Sequence, residues 1–278
     1  VNSSFGISPK IVAVILAVLV ALVVFGGLQS ISNVSTKIVP FMTVAYIAIC
    51  LVILVSSYNL IPQTFALIFT GQAAAGGFLG ATVAMAIRNG IARGVFSNES
   101  GLGSAPIAAA AAKTQWPAEQ GLISMTGTFI DSIIICTLTG VSLIITGVWQ
   151  GDLNGAVMTQ AAFASVLPNI GPLFLTVSLS LFAFTTILGW SYYGERCFEF
   201  LFGANKINIF RCLFVAMVLL GGFLKLEMVW VIADIVNGLM ALPNLIALLA
   251  LSPVVVSETK LYMDNLKSLN KSQNQHII

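Results

Sequence analysis

Long apolar stretches constrain the fold of this chain more than any other feature of its sequence. A helix that crosses a bilayer needs about 20 consecutive, mostly apolar residues. Seven segments meet or approach that length, at residues 11–28, 38–56, 76–112, 122–149, 172–192, 209–223 and 228–256. We therefore predict an all-α polytopic membrane protein, because a helix satisfies its own backbone hydrogen bonds inside lipid.

The scarcity of charged residues supports the same conclusion. Only 8% of the 278 residues are charged and 58% are hydrophobic, whereas a soluble domain carries roughly 25% charged residues. So few charges cannot cover the surface of a water-soluble globule of this size. The net charge of +2 does not by itself argue for a nucleic-acid partner. We expect no nucleic acid, and the lipid bilayer as the main surroundings.

The positions of basic residues predict the orientation, because cytoplasmic loops of membrane proteins carry an excess of Lys and Arg. With the N-terminus outside, eight basic residues fall on the cytoplasmic side: Lys37, Lys113, Arg196, Lys206, Arg211, Lys260, Lys267 and Lys271. Only Lys10 and Lys225 then lie outside. We predict an inner-membrane protein with a cytoplasmic C-terminus, a transmembrane domain over residues 1–262 and a polar cytoplasmic tail over 263–278.

Two stretches lie outside the predicted spans. Residues 151–170 are half polar, and they indicate an external hairpin or an interfacial helix. The chain turns polar after Ser257, and residues 266–276 have the composition of a disordered tail.

The third segment, residues 76–112, is too polar for a plain spanning helix. It contains two arginines, a glutamate, several glycines and a proline, namely Arg88, Arg93, Glu99, Gly101, Gly103 and Pro106. Irregular backbone at membrane depth is tolerated only where it lines a cavity or is buried in protein. A broken helix exposes free N–H groups that suit a carboxylate and free carbonyls that suit a small cation. An amino acid carried together with Na⁺ needs both.

Two glycines of this segment support a binding role. Gly101 and Gly103 allow the backbone to approach a ligand, because no Cβ is in the way. The alternative interpretation of the whole segment is a cytoplasmic loop between two short helices.

The fifth segment carries a possible second half of such a site. Phe182, Thr186 and Trp190 recur every four residues and therefore share one face of a helix. The adjacent hydroxyls of Thr185 and Thr186 are hard oxygen donors of the kind that a hard cation prefers. Trp190 could wall an amino-acid pocket. The alternative is that the threonines bond to backbone carbonyls four residues earlier in the helix.

Two carboxylates, Asp131 and Asp234, fall within apolar segments, and Asp234 precedes an expected break of the last segment at Pro243-Asn244. Ionisable residues at such positions are functional candidates by default. The alternative is a structural role, as ion-pair partners of Arg88 or Arg93 or as helix caps. An intramembrane aspartyl protease would also need two carboxylates, but neither follows a Gly-x-Gly sequence. The single histidine, His276, lies in the polar tail, which excludes a Ser–His dyad within the membrane. We predict that the chain is not an enzyme.

Three long stretches resemble the alanine or glycine:cation symporter family. They are residues 92–106, which read Ala-Arg-Gly-Val-Phe-Ser-Asn-Glu-Ser-Gly-Leu-Gly-Ser-Ala-Pro, residues 182–196 and residues 233–247. The likeness extends from about Phe5 to Tyr262. It implies a leucine-transporter-like fold of two inverted five-helix repeats. On that scheme the seven segments resemble helices four to ten, and the family's first three helices are absent.

The resemblance also implies roles for individual residues. The amino-acid site is expected to include residues of the third segment together with two from the fifth: Phe96, Ser97, Asn98, Gly101, Thr186 and Trp190. The candidate sodium site comprises Thr185, Thr186 and the Phe182 carbonyl, shared with the family's first helix. Asp131 and Asp234 remain possible structural or coupling carboxylates.

The implied function is sodium-coupled symport of alanine or glycine into the cytoplasm. No organic cofactor is expected, with Na⁺ as the coupling ion and the missing N-terminal helices as partners. The alternative is a truncated homologue that inserts into the membrane but is inactive in transport. A passive channel is disfavoured, because no ring of repeated filter residues is present.

Overall fold

The structure, a computed structural model, describes residues 1, 5–69, 79–97, 99–153 and 155–275. Within those ranges every regular element is a helix. The helices are α1 (Pro9–Val24), α2 (Gly27–Ser56), α3 (Ile61–Phe69), α4 (Leu79–Ser97), α5 (Glu99–Leu102), α6 (Ala105–Ala109), α7 (Pro117–Thr128), α8 (Cys136–Ile145), α9 (Gly155–Val166), α10 (Gly171–Phe202), α11 (Ile207–Gly221) and α12 (Leu226–Gln275). A π-helical turn, Phe129–Ile135, joins α7 to α8.

Five helical stretches in the described part of the chain are long and apolar enough to cross a membrane. They are Gly27–Ser56, Pro117–Ile145, Gly171–Phe202, Ala204–Gly221 and Met228–Leu269. Two shorter apolar helices, Pro9–Val24 and Gly155–Val166, accompany them. The prediction of an all-α polytopic membrane protein is confirmed. The predicted first segment corresponds to the shorter helix α1, and the third segment is divided into several helices.

Helix α2 begins well before the predicted span at residues 38–56. It starts at Gly27, and only two residues separate it from the end of α1. Gly27 has a φ of +72°, which permits this tight connection because glycine adopts positive φ without strain. Lys37, predicted in a loop, therefore lies inside a helix. The polar residues between positions 29 and 37 lower the local hydropathy, and for this reason the sequence pattern placed the helix start too late.

Helix α12 corrects two further expectations. It runs from Leu226 to Gln275 and contains Pro243 and Pro253 without interruption, although a break was predicted at Pro243-Asn244. Proline is tolerated within spanning helices where neighbouring groups satisfy the freed backbone carbonyl. The described part of the expected disordered tail is also helical. An ion pair between Lys267 and Asp264, at 3.4 Å, lies one turn apart there and supports a helix.

The chain divides into two compact units. Unit 1 consists of Val1–Arg88 and Ile135–Met228, and unit 2 of Asn89–Ile134 and Val229–Ile278. The predicted interfacial stretch at residues 151–170 lies in unit 1 and contains helix α9.

Tyr46 is central to the core of unit 1. Its ring lies 5.8 Å from the ring of Phe163 on α9 and 5.9 Å from that of Phe182 on α10, measured between centroids. Its hydroxyl lies 2.8 Å from Thr139 Oγ1 on α8. Thr139 donates its own proton to the Ile135 carbonyl at 2.7 Å, so Tyr46 is the donor of the bond between them. One buried side chain thus joins α2, α8, α9 and α10.

A buried ion-pair network ties α10 to α11 within unit 1. Glu195 is only 3% exposed, and both of its oxygens accept bonds from Arg211, at 2.7 Å and 3.0 Å. Arg196 adds a third bond at 2.8 Å. The two helices approach so closely that a Cβ at Gly194 would lie 2.5 Å from the ring of Phe210. The two arginines, which the sequence analysis used only as markers of the cytoplasmic side, therefore have structural contacts within helices.

Candidate functional site

The third predicted segment is an interrupted helix, as its composition indicated. Helix α4 is followed by the short helices α5 and α6, and the described interruption lies between Leu102, where α5 ends, and Ala105, where α6 begins. Between them Gly103 has a φ of +80°, which turns the chain. The backbone N–H of Ser104 then donates to the Glu99 carbonyl at 3.2 Å, so this carbonyl at the start of α5 is satisfied locally.

Asn244 on α12 contacts the interrupted segment, residues 99–105, which is called the break below. Its Nδ2 atom donates to the carbonyl oxygens of Ser100, at 2.9 Å, and Gly101, at 3.1 Å. Carbonyls at the end of a helix have no partner within the helix, so this amide satisfies two of them. Sequence reasoning noted Asn244 only as part of an expected break. Its polar amide, placed within an apolar segment, was the signal of a specific role.

Steric crowding explains why Gly101 and Gly103 in the break have no side chain. A Cβ at Gly103 would lie 2.9 Å from Asn244 Cγ, and a Cβ at Gly101 would lie 2.5 Å from the Val95 carbonyl oxygen. Both glycines were predicted to make room for a ligand. In the structure, the protein's own Asn244 and Val95 occupy that room.

A cavity of about 380 Å³ opens beside the break in unit 2. Oxygen-bearing side chains of the break and of the helix opposite contribute to its wall: Ser97, Glu99, Ser100, Ser124, Thr128 and Asp131. No lysine or arginine is among the described residues that line it. Carboxylates together with hydroxyl groups favour a cation, such as a substrate ammonium or a metal ion with a preference for oxygen.

Two hydrogen bonds join the opposite walls of this cavity. Ser97 Oγ donates to Asp131 Oδ2 at 2.8 Å, and the hydroxyls of Ser100 and Thr128 lie 3.2 Å apart. Asp131 belongs to the π-helical turn, and such turns occur frequently at functional sites. The structure thus brings together Ser97 and Asp131, two residues that sequence reasoning selected for separate reasons.

Asp234 has a different environment in the same unit. Arg93 donates to both of its oxygens, at 2.9 Å and 3.3 Å. The Arg93 guanidinium also lies over the ring of Trp230, 5.1 Å from the centroid. This ion pair is the structural alternative that the sequence left open for Asp234, whereas Asp131 bonds to a hydroxyl group.

The predicted sodium ligands lie on α10 in unit 1. Thr185 Oγ1 is buried and lies 3.0 Å from the Leu181 carbonyl and 3.1 Å from the Phe182 carbonyl, to which it donates. This is the back-bonding alternative, although a hydroxyl that donates keeps lone pairs for a cation. Thr186 is exposed. Trp190 packs against Tyr193, with 6.0 Å between ring centroids.

The predicted amino-acid site is divided between the two units. Ser97 and Gly101 lie in unit 2, together with the backbone of Phe96, while Thr186 and Trp190 lie in unit 1. Asn98 lies outside the described residues.

Comparisons with known proteins identify the family. The profile of the sodium:alanine symporter family matches residues 1–276. An uncharacterized transporter of Haemophilus influenzae is 51% identical over 282 residues, which cover 99% of this chain and 62% of the relative. The sodium/alanine symporter AgcS of Methanococcus maripaludis is 49% identical over 278 residues, covering 99% and 61%. The amino-acid carrier protein AlsT of Bacillus subtilis is 38% identical over 268 residues, covering 96% and 57%.

These relatives are described as transporters rather than enzymes, in agreement with the sequence prediction. The chain spans about three fifths of the length of the first two of these relatives. The resemblance found in the sequence is confirmed, and the chain belongs to the sodium:alanine symporter family.

Proposed function

We propose that this chain acts in sodium-coupled symport of a small neutral amino acid, alanine or glycine, into the cytoplasm. The observation that carries the proposal is the interrupted helix beside the oxygen-lined cavity, where the Ser97 hydroxyl meets the Asp131 carboxylate at 2.8 Å. Broken helices near the bilayer midplane are where symporters bind substrate and coupling ions. Membership in a symporter family supports cation-coupled amino-acid transport.

The substrate site in this proposal includes Phe96, Ser97, Asn98 and Gly101 from the interrupted segment, with Thr186 and Trp190 from α10. A small amino acid presents an ammonium group, a carboxylate and little else. The backbone N–H groups of the break suit the carboxylate, and carboxylate or hydroxyl oxygens suit the ammonium. The Trp190 ring limits the size of the side chain that fits.

The sodium site in this proposal comprises Thr185, Thr186 and the Phe182 carbonyl. Two of these oxygens, Thr185 Oγ1 and Phe182 O, already lie 3.1 Å apart. A sodium ion needs more oxygen ligands than these three, by analogy with other hard cations. Because the chain spans about three fifths of its relatives' length, we propose that the remaining ligands come from segments outside it.

The proposed setting is the inner membrane, with the N-terminus of this chain outside and the C-terminus in the cytoplasm. The excess of basic residues on the cytoplasmic side, eight against two, supports this orientation. The proposed architecture is the leucine-transporter-like fold, in which rocking of one helix bundle gives alternating access to a fixed site.

The test is uptake of labelled alanine and glycine into proteoliposomes, with and without an inward sodium gradient. The chain is measured beside a chimera in which it follows the part of the Methanococcus maripaludis symporter that it does not match. Gradient-driven uptake by either protein supports the proposal. Uptake by the chimera alone favours the alternative that this chain by itself is inactive in transport. Uptake that is equal without the gradient, or absent from both proteins, contradicts it.

A further inference from the structure

Unit 2 contains a second concave region, a groove between the start of α7 and the C-terminal half of α12. One part of it has a volume of about 430 Å³ and is apolar, with Leu122 and Met125 facing Val254 and Val255. The other part has a volume of about 580 Å³ and is polar, with Lys113, Trp116, Glu119, Tyr262 and Asn265 in its wall. None of these residues belongs to the cavity proposed for transport.

The two parts are adjacent along the same pair of helices. Trp116, in the polar part, immediately precedes Pro117, in the apolar part. On α12, Glu258 in the apolar part and Tyr262 in the polar part are four residues apart and share a face. The rings of Trp116 and Tyr262 lie 5.9 Å apart at the junction. The result is a single groove that is apolar at one end and polar at the other.

Lipid is the expected solvent of this groove. Its two walls belong to the candidate membrane spans Pro117–Ile145 and Met228–Leu269. Leu122 and Val254 are both exposed in the structure, at 43% and 53%. Trp and Tyr are enriched where hydrocarbon meets the headgroup layer of a bilayer, and the Trp116–Tyr262 pair occupies the corresponding boundary of the groove.

The charges along the groove select among headgroups. Lys113 supplies one cation, and Glu119 and Glu258 supply two carboxylates. Glu119 is held in place by Thr114 Oγ1, which donates to Oε2 at 2.6 Å. A carboxylate has about four lone-pair sites, so this one can accept further bonds. The groove therefore matches a headgroup with a phosphate for Lys113 and a hydrogen-bonding ammonium for the carboxylates.

We propose that this groove is a binding site for phosphatidylethanolamine. One acyl chain lies along Leu122, Met125, Val254 and Val255, the phosphate binds Lys113, and the primary ammonium donates to Glu119 and Glu258. Phosphatidylcholine fits less well because its quaternary ammonium has no N–H to donate. Phosphatidylglycerol fits less well because it brings no cation to the two carboxylates. The proposal does not depend on transport activity.

The test is native mass spectrometry of the delipidated chain, titrated with the three phospholipids carrying identical acyl chains. We expect phosphatidylethanolamine to bind about tenfold more tightly than phosphatidylcholine, the effect of one or more hydrogen bonds between charged groups. Glu119→Gln should remove that preference, while Asp152→Asn, at an exposed loop carboxylate of unit 1, should preserve it.

A second pair of variants tests the apolar end. Leu122→Trp fills the groove and should lower phosphatidylethanolamine affinity about tenfold, since an overfilled site displaces its occupant. The matched control is Leu249→Trp, at a residue of α12 that is 78% exposed and not among those lining the groove. Equal binding of all three lipids, tighter binding of phosphatidylglycerol, or equal effects of the two tryptophan variants would overturn the proposal. So would exclusion of lipid from the groove by a second copy of the chain, or by the added segment of the chimera when the same titration is made on it.

Discussion

Two carboxylates within the helices of this chain have opposite surroundings. Glu195 in unit 1 is 3% exposed and accepts bonds from the guanidinium groups of Arg211 and Arg196. Asp131 in unit 2 accepts a hydrogen bond from the Ser97 hydroxyl and lines a cavity. A carboxylate neutralised by arginines holds helices together, whereas one that faces a cavity beside a neutral hydroxyl can attract a mobile cation. The same side-chain chemistry thus gives a structural group in one unit and a candidate site in the other.

The local backbone differs in the same way. Glu195 belongs to the regular helix α10, which is 32 residues long. Asp131 belongs to a seven-residue π-helical turn, opposite the segment that is interrupted between Leu102 and Ala105. A regular helix pairs its backbone N–H and C=O groups with one another, whereas an interrupted helix leaves such groups available to ligands. The comparison therefore predicts that substitutions in the buried network around Glu195 reduce stability and that substitutions beside the cavity reduce transport.

The largest effect is expected from Glu195→Gln. The substitution leaves Arg211, whose side chain is 15% exposed, without its counter-charge. Removal of one partner from a buried ion pair costs about 3–5 kcal/mol. The free energy of unfolding, measured by denaturant titration in detergent, should fall by that amount.

The matched control for Glu195 lies one helical turn away. Glu199 pairs with Arg196 at 2.6 Å but its side chain is 30% exposed, so Glu199→Gln should cost no more than about 1 kcal/mol. Equal losses in the two variants would show that the buried network has no special role, and the comparison between the two carboxylates would fail.

The second effect is a loss of transport, and it tests the proposed role of Asp131 beside the cavity. Asp131→Asn keeps an oxygen that can accept the Ser97 bond, so stability should change by less than about 1 kcal/mol. The loss of charge should reduce gradient-driven alanine uptake by about ten- to one-hundredfold, the equivalent of a charged hydrogen bond. The measurement is initial uptake rate in whichever protein, chain or chimera, transports alanine.

Asp234→Asn is the control for Asp131→Asn. It removes the carboxylate that Arg93 binds, and both side chains of that pair are about half exposed, at 54% and 44%. Uptake should remain within about twofold of the wild-type rate, as expected for an exposed ion pair. If both variants lost uptake equally, Asp131 would have no distinct role in the cavity.

The third effect is a loss of stability at the break itself. Asn244→Leu has a similar volume but removes the amide that binds the carbonyls of Ser100 and Gly101. Unsatisfied carbonyl groups cost about 1–3 kcal/mol. Hydrogen exchange should accelerate in the backbone between residues 99 and 105 and remain unchanged in α10. Uniform acceleration along the chain would instead indicate global destabilisation.

These predictions rest on contacts that the sequence could reveal only in part. The spans were predictable because a run of apolar residues is a local property, and the interruption around Gly103 was predictable because a charge, two glycines and a proline lie close together in the sequence there. The bond between Ser97 and Asp131 joins residues 34 positions apart, and the spacing of residues within a helix does not predict a contact over that separation. Asn244 reaches the break across 144 positions. The start of α2 was missed because its first turns are polar, and helix geometry there depends on tertiary contacts rather than hydropathy.

The smallest effect sharpens the comparison within unit 1, where polar groups outside the proposed sodium and substrate sites are expected to be structural. Tyr46→Phe removes the bond to Thr139 but keeps the ring contacts with Phe163 and Phe182. Thr139 still donates to Ile135, so no donor is left without a partner and the cost should be about 1 kcal/mol.

Thr139→Val should cost more, about 1–3 kcal/mol, because it leaves the buried Tyr46 hydroxyl without its oxygen acceptor. The double variant should then be more stable than Thr139→Val alone, as measured by denaturant titration. The reverse order of the two single variants would mean that Thr139 is the donor. Uptake should be unchanged in all three variants if polar groups of unit 1 such as this one serve the fold alone.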